Sequence, residues 1–493
     1  MFFNINKKII LFIISILVQS LFANDIKIVY TAKMRDITND TYGTYSNLAT
    51  LLKEHKKNND LLFLFGGNSL GPNLISNMDK GAHIISILNI LKPDIWGVNH
   101  SDLMFGTDEL SLHAENANFP LVLSNVSYEN GEKLHEIKSN FILEKAGFKI
   151  GVISILGPEA NNRYETGDIK IANFRQAIID NSKILNKQGV DIIVLLTTGY
   201  FKVPKDLVEN RTIDFVLSKY INSPNEEFYK HPRIINLSKE NEILILFIHK
   251  KNKSYDFKIQ RDTLLKYKKD KEVNEYIKEY IVKINSFLKQ KVGITKVTLN
   301  TQRDEVRNKE SIFANLLTDA IKEYAQADIA LINAGSIRGD KIYKAGTVLT
   351  RRDIMLELPF RSKIMLSEIK GKKILEILEH SLQNINSDSG KFLHISGGKI
   401  IYDTSLKSGH RVKKVFINKQ KLQKNKTYRV ATLDFLYNGG DNYTMFKDSK
   451  RIREYKLDYR LVSDILIDYI LEKKEIDLHL ENRLKDLSKH KGK

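Results

Sequence analysis

Short apolar runs separated by polar turns fill the first half of the chain, and their spacing predicts alternating strands and helices. Ile26 to Tyr30 (IKIVY) reads as a strand. Beyond Gly43, Tyr45, Leu48, Leu51, Leu52 and His55 recur at helical spacing. Leu61 to Phe65 is wholly apolar and stops at Gly66-Gly67, as a buried strand does. A helix from about His83 to Leu91 ends before Pro93, and Trp96 and Val98 then lead into Asn99-His100. Further apolar runs occupy Leu121 to Leu123, Ile150 to Leu156, Ile192 to Leu196 and Ile243 to Ile248. Strands alternating with helices predict a layered α/β domain.

From Lys269 to Lys291 the period changes. Val273, Tyr276, Ile277, Tyr280, Ile281, Ile284, Phe287 and Leu288 form one helical stripe, with charges on the opposite face. This reads as a helix linking two domains; a short coiled-coil seam is the alternative. Ser311 to Ala325 and Tyr459 to Leu471 are the next expected helices, and the closing KHKGK reads as a disordered end.

At 493 residues the chain is long enough for at least two domains, and 42% hydrophobic with 28% charged residues is ordinary for a globular protein. The absence of cysteine excludes disulfides, thiolate-bound zinc and a lipid-modified cysteine. Lys7 and Lys8 precede the apolar run Ile9 to Val18 and then QSLFA, the pattern of a secretory signal cut after Ala23. No later stretch is apolar for long enough to form a membrane helix, so no anchor is expected after cleavage. The expected compartment is periplasmic or extracellular. The net charge of +19 raises the question of nucleic acid. Lysines are spread along the whole chain, however, and no basic block alternates with aromatics; a compositional bias is the reading, with no nucleic-acid partner.

The stretch Asp434 to Phe446 (DFLYNGGDNYTMF) carries candidate binding chemistry. Gly439-Gly440 permits positive φ and close approach to a ligand. Asp441 just beyond can accept hydrogen bonds from two neighbouring hydroxyls, and Phe435 ahead of it offers a stacking face. Taken alone, the stretch reads equally as a strand end, an Asn-Gly-Gly turn and a core Phe. Upstream lie LINAGSIRGD (Leu331 to Asp340), ELPF (Glu357 to Phe360) and GKFLHISGG (Gly390 to Gly398). In this order and spacing the four segments resemble the C-terminal domain of the 5'-nucleotidase family. The resemblance implies a base clamp of Phe392 and Phe435, a ribose acid at Asp441 beside Gly439 and Gly440, and a phosphate-side arginine at Arg338. Ser362 departs from it, because the family has an Asn after Pro-Phe.

The same resemblance implies a two-metal phosphoesterase centre in the N-terminal half, where two divalent ions polarise the ester and activate a water. The expected ligands are largely absent. Lys33 and Arg35 stand where an Asp-x-His is expected, and Asn68 replaces the bridging acid after Gly67. Asn99-His100 survives, but Ser101 replaces its acid. Thr197 takes the place of a histidine, and Tyr220 and Asn222 replace two more. Asn99 and His100 are therefore read as vestigial, and no metal or other cofactor is expected, since such ions need anionic or imidazole ligands. Lys33 and Arg35, if carried on a continuing strand, would face one way and form an anion site.

The fold expected is a metallophosphoesterase-like αββα sandwich over 24–260, a linker helix over 261–295, a nucleotidase-like α/β domain over 296–475 and a tail over 476–493. Two functions stay open. One is an exported binding protein for a nucleotide or nucleoside with a dead metal centre. The other is a working metal-dependent 5'-nucleotidase or phosphoester hydrolase of nucleotide catabolism. The sequence identifies no protein partner.

Overall fold

A computed structural model describes residues 25–488, apart from 39, 57–59, 72, 158–168, 198–202, 220–230, 252–253, 386, 388, 455–456 and 458–459. The signal sequence, Tyr220, Asn222 and KHKGK lie outside the described residues. The chain divides into two compact units, one running to Ile281 and the other starting at Val282.

The first unit is built on two sheets. In the first, β1 (Asp25–Thr31), β2 (Leu61–Phe65) and β3 (Ile95–Gly97) run parallel, continued by Leu121–Val122 and Ile137–Lys138. The second holds β4 (Phe148–Ile155), β5 (Ile192–Thr197) and β6 (Phe215–Ser218), again parallel. Then β7 (Glu242–Lys251) returns antiparallel to β1, with β8 (Ser254–Thr263) beyond it. Alternation along β1 decides the layering. Ile26, Ile28 and Tyr30 point between the sheets to join Val152, Val194 and Phe215. Val29 points the other way, onto α1 (Tyr45–His55) and α2 (Ala82–Leu91). On the far side Ile153, Ile193 and Leu195 pack under α3 (Phe174–Lys187). The result is the expected αββα sandwich. The predicted helical stripe is α4 (Lys271–Leu288). It is not a bare connector: Val273 and Ile277 are buried in the first unit's core, with Tyr276, Tyr280 and Ile281 packed against it.

The second unit centres on a five-stranded sheet. Its members are β9 (Ile329–Asn333), β10 (Ile364–Lys370), β11 (Leu393–Ser396) and β12 (Thr427–Leu433), with Lys450–Ile452 at one edge. Along β9, Ala330 and Ile332 face α5 (Ile312–Ala325) and α6 (Val462–Lys473), whereas Ile329 and Leu331 face the helix Gly371–Ser381. Residues 476–488 do not form a tail. Leu484–Asp486 pairs in parallel with Gly398–Tyr402, and Arg483 forks onto Asp319 of α5 at 2.7 and 2.8 Å. Two parallel guanidinium–carboxylate bonds make such a pair directional as well as strong.

Candidate functional site

Four loops meet at one end of the second unit's sheet. Because β9 and β12 run parallel while β10 and β11 run against them, two strand ends and two strand starts share that edge. Asn333 ends β9 and Arg338 follows it, Phe435 and Asp441 follow β12, Phe360 precedes β10 and Phe392 precedes β11. The edge is stitched by Ala334 N–H donating to Phe392 O at 2.7 Å and Gly335 N–H to Gly390 O at 2.9 Å. A side chain at Gly390 or Gly335 would lie 3.1 or 3.2 Å from the other's Cα, so the close approach leaves little room for one.

The double glycine has two distinct tasks. Gly439 sits at φ +89, a conformation open to glycine. Gly440 is covered by the Phe435 ring: a Cβ there would lie 2.6 Å from ring carbons. This contact fixes the ring while leaving Phe435 50% exposed. Asp441 follows in the left-handed region at φ 51, and its Oδ2 accepts from Asn333 Nδ2 at 2.8 Å. Its backbone oxygen lies 3.0 Å from His380 Nε2, and Tyr443 Oη donates to Lys391 O at 2.6 Å.

Phe392 differs from expectation. It is only 2% exposed, lies in the core cluster under the sheet and meets His394 edge-on at 5.4 Å. The two-ring clamp is therefore not open in this structure: Phe435 is presented and Phe392 is withheld. Phe360 is a further exposed ring at this edge, with the Arg338 guanidinium 5.2 Å over its face. Ser362 keeps a backbone role, its carbonyl accepting from Val462 N–H at 2.9 Å.

Arg338 stands in a group of cations. Burial, then the charges of Arg307 and Arg303, push its guanidinium down from its ordinary value, and Asp441 pulls it up. Arg303 and Arg307 are residues that the sequence reading missed. The signal lay in QRDEVR, where two arginines four apart share one face of a short helix. Glu357 was also passed over. It is buried, takes hydrogen bonds from Thr301, Tyr343 and Gly339 N–H, and its carbonyl accepts from Arg338 N–H at 2.8 Å. It holds the arginine-bearing turn in place. Three guanidiniums, a carboxylate and an exposed aromatic at one edge suit a ligand with an anionic group, hydroxyls and a flat ring.

In the first unit, strand ends of both sheets converge around Asn99 and His100. Asn99 caps the turn His100–Leu103: its Oδ1 accepts from His100 N–H at 2.9 Å, and its Nδ2 donates to Gly66 O at 3.3 Å. Asp102, at the third position of that turn, accepts from the backbone N–H groups of Asn68, Ser69, Leu70 and Asn99. Burial pushes its carboxyl up, and these donors oppose the shift. The N-x-x-D spacing of a capping box was the available signal.

The expected anion site at Lys33 and Arg35 is corrected. Lys33 has φ 63, so the strand does not continue, and its amine pairs with Glu240 at 3.0 Å. Arg35 Nε donates to Asn68 O at 3.1 Å. The two cations do not converge on an open site. Among the described residues no group of three or more His, Cys, Asp or Glu side chains converges. Among the described residues the side chains at these strand ends are amides, hydroxyls, one imidazole, cations and the Asp102 carboxylate, which four backbone N–H groups already occupy, a set that does not fit a pair of divalent ions.

Residues 291–448 match the family model "5'-nucleotidase, C-terminal domain". Over 478 residues the chain is 26% identical to a 5'-nucleotidase-related protein of Glossina morsitans morsitans, covering 85% of this chain and 83% of that one. A snake venom 5'-nucleotidase of Crotalus adamanteus is 26% identical over 505 residues, with 87% and 81% covered. In fold the chain is similar to the crystal structure of a 5'-nucleotidase precursor from Thermus thermophilus. The TM-score is 0.57 at 22% identity, over 94% of this chain and 99% of that one.

Proposed function

We propose, starting from the fact that this chain belongs to the 5'-nucleotidase family, that its second unit binds a nucleoside or nucleotide and that its first unit does not hydrolyse it. The observation that carries the binding half is the sheet edge where Asp441, held by Asn333, lies beside the exposed Phe435 ring. In this reading the base stacks on Phe435, Asp441 accepts from the ribose hydroxyls, and Arg303, Arg307 and Arg338 hold phosphate. A planar guanidinium suits phosphate because it offers two parallel donors. The second half rests on the described donor set around Asn99 and His100, whose one carboxylate, Asp102, is taken up by backbone N–H groups rather than presented to a metal-activated water. The protein is taken to be exported, as the venom relative's name suggests for that protein.

A working hydrolase is the second reading, favoured by relatives named as nucleotidases and apyrases. Two experiments test these readings: the first addresses the binding edge, and the second separates binding from hydrolysis. Calorimetry with adenosine and 2'-deoxyadenosine on wild type and Asp441→Asn should show the variant losing affinity mainly for the ribonucleoside. Equal losses for both sugars would make Asp441 a turn residue. An AMP hydrolysis assay with added manganese or cobalt should show no turnover; turnover lost in EDTA would establish the second reading.

A further inference from the structure

Lys219 is fully buried, at 0% exposure, immediately after β6. Lysine is almost never buried to this degree unless specific groups hold it. Its Nζ lies 3.3 Å from His100 Nδ1, and the same ring nitrogen lies 3.0 Å from Asn99 Oδ1. One ring nitrogen cannot serve both neighbours. Carrying a proton, Nδ1 donates to Asn99 Oδ1; without it, Nδ1 accepts from the Lys219 ammonium. The Asn99 oxygen already accepts from His100 N–H. An ammonium has three donors and no acceptor, so it gains only from the second arrangement.

The surroundings are polar and sealed. Asn68 is fully buried in the left-handed region at φ 60, and neither atom of its side-chain amide has a hydrogen-bond partner among the described residues. The Tyr30 and Ser218 hydroxyls are likewise buried and without a partner there. Buried polar groups are ordinarily satisfied, so orphans grouped at strand ends call for an explanation, and a displaced ion is one that fits strand ends.

We infer that Lys219 is a tethered cation: its ammonium occupies the polar junction around His100 and Asn99 in place of a metal ion, with His100 held as the Nε2–H tautomer. A divalent ion at that junction would face a fixed positive charge in a low-dielectric setting. The inference rests on the first unit's junction being a former metal centre. Adenosine affinity of the second unit, measured in parallel, reports on the binding proposal independently.

The test uses the full chain. Nitrogen-15 correlation spectra near neutral pH, with His100 assigned by difference against His100→Gln, give its tautomer. The Nε2–H form is expected in wild type, changing to the Nδ1–H form in Lys219→Met. Thermal midpoints are then compared in EDTA and in millimolar Mn²⁺ or Zn²⁺. Wild type should shift by less than about 1 °C, because an ion that does not bind the native state cannot stabilise it. A wild-type Nδ1–H tautomer, or a metal-dependent rise in the wild-type midpoint, would overturn the inference. So would an unchanged tautomer in Lys219→Met. Should that variant not fold, the two wild-type measurements decide alone.

Discussion

At the scale of single residues, Phe392 and Phe435 separate two roles that the sequence presented alike. Both are phenylalanines beside glycines at the edge of one sheet, yet one is 2% and the other 50% exposed. Phe435→Ala removes a stacking face worth about 1–3 kcal/mol per base, so adenosine affinity should fall roughly tenfold or more with little change in midpoint. Phe392→Ala empties a core position and should cost about 3–5 kcal/mol of stability. Calorimetry and thermal melts on both variants check the contrast. If Phe392→Ala weakens binding at an unchanged midpoint, its ring reaches the ligand. Residue type and order pointed to this edge; burial did not follow from them, because it depends on how β11 is overlaid by residues distant in sequence.

At the scale of elements, β11 ties the arginine turn to the sheet through His394. This histidine is fully buried, and its Nε2 donates to Val306 O at 2.7 Å, between Arg303 and Arg307. Burial pushes its ring down from 6.5 to about 4, although the bond to Val306 pulls the other way. The unfolded chain therefore takes up a proton near pH 6.5 and the folded chain only near pH 4. Stability is complete above about pH 6.5 and is lost as pH falls toward 4, by roughly 3 kcal/mol over that window. Urea titrations from about pH 7.5 to about pH 4.5 should show this slope, and His394→Gln should flatten it. An identical slope in the variant would assign the loss elsewhere. The hydrophobic periods made β1, β2, α1 and α5 legible, because each buries a regular face. The arginine turn was illegible as a site, since so short a helix carries no period and its meaning comes from His394 and Glu357.

At the scale of the whole molecule, the first layered α/β unit follows from apolar spacing and the second from the family resemblance, but their limits follow from neither. The α4 stripe marks a helix without saying which core receives it, and Val273 and Ile277 enter the first. Residues 476–488 lack a long apolar run, yet they supply a strand and the Arg483–Asp319 fork. Deleting 476–488 should strip α5 of that partner, expose an edge of the sheet at Gly398–Tyr402 and destabilise the second unit. Breaking a fully buried ion pair on one side costs about 3–5 kcal/mol, and this partly buried pair should cost less. Limited proteolysis of the truncated chain should cut the second unit rapidly while sparing the first; equal resistance would show that the strand is dispensable.

That late strand also constrains the order of events during synthesis. Its partners, Gly398–Tyr402 and Asp319, emerge from the ribosome long before residues 483–486 do. Until those arrive, the Gly398–Tyr402 edge and Asp319 lack these partners, whereas the described sheets of the first unit are complete once β8 has been made. Closure of the Gly398–Tyr402 edge is therefore among the last events of folding, because it waits for the end of translation.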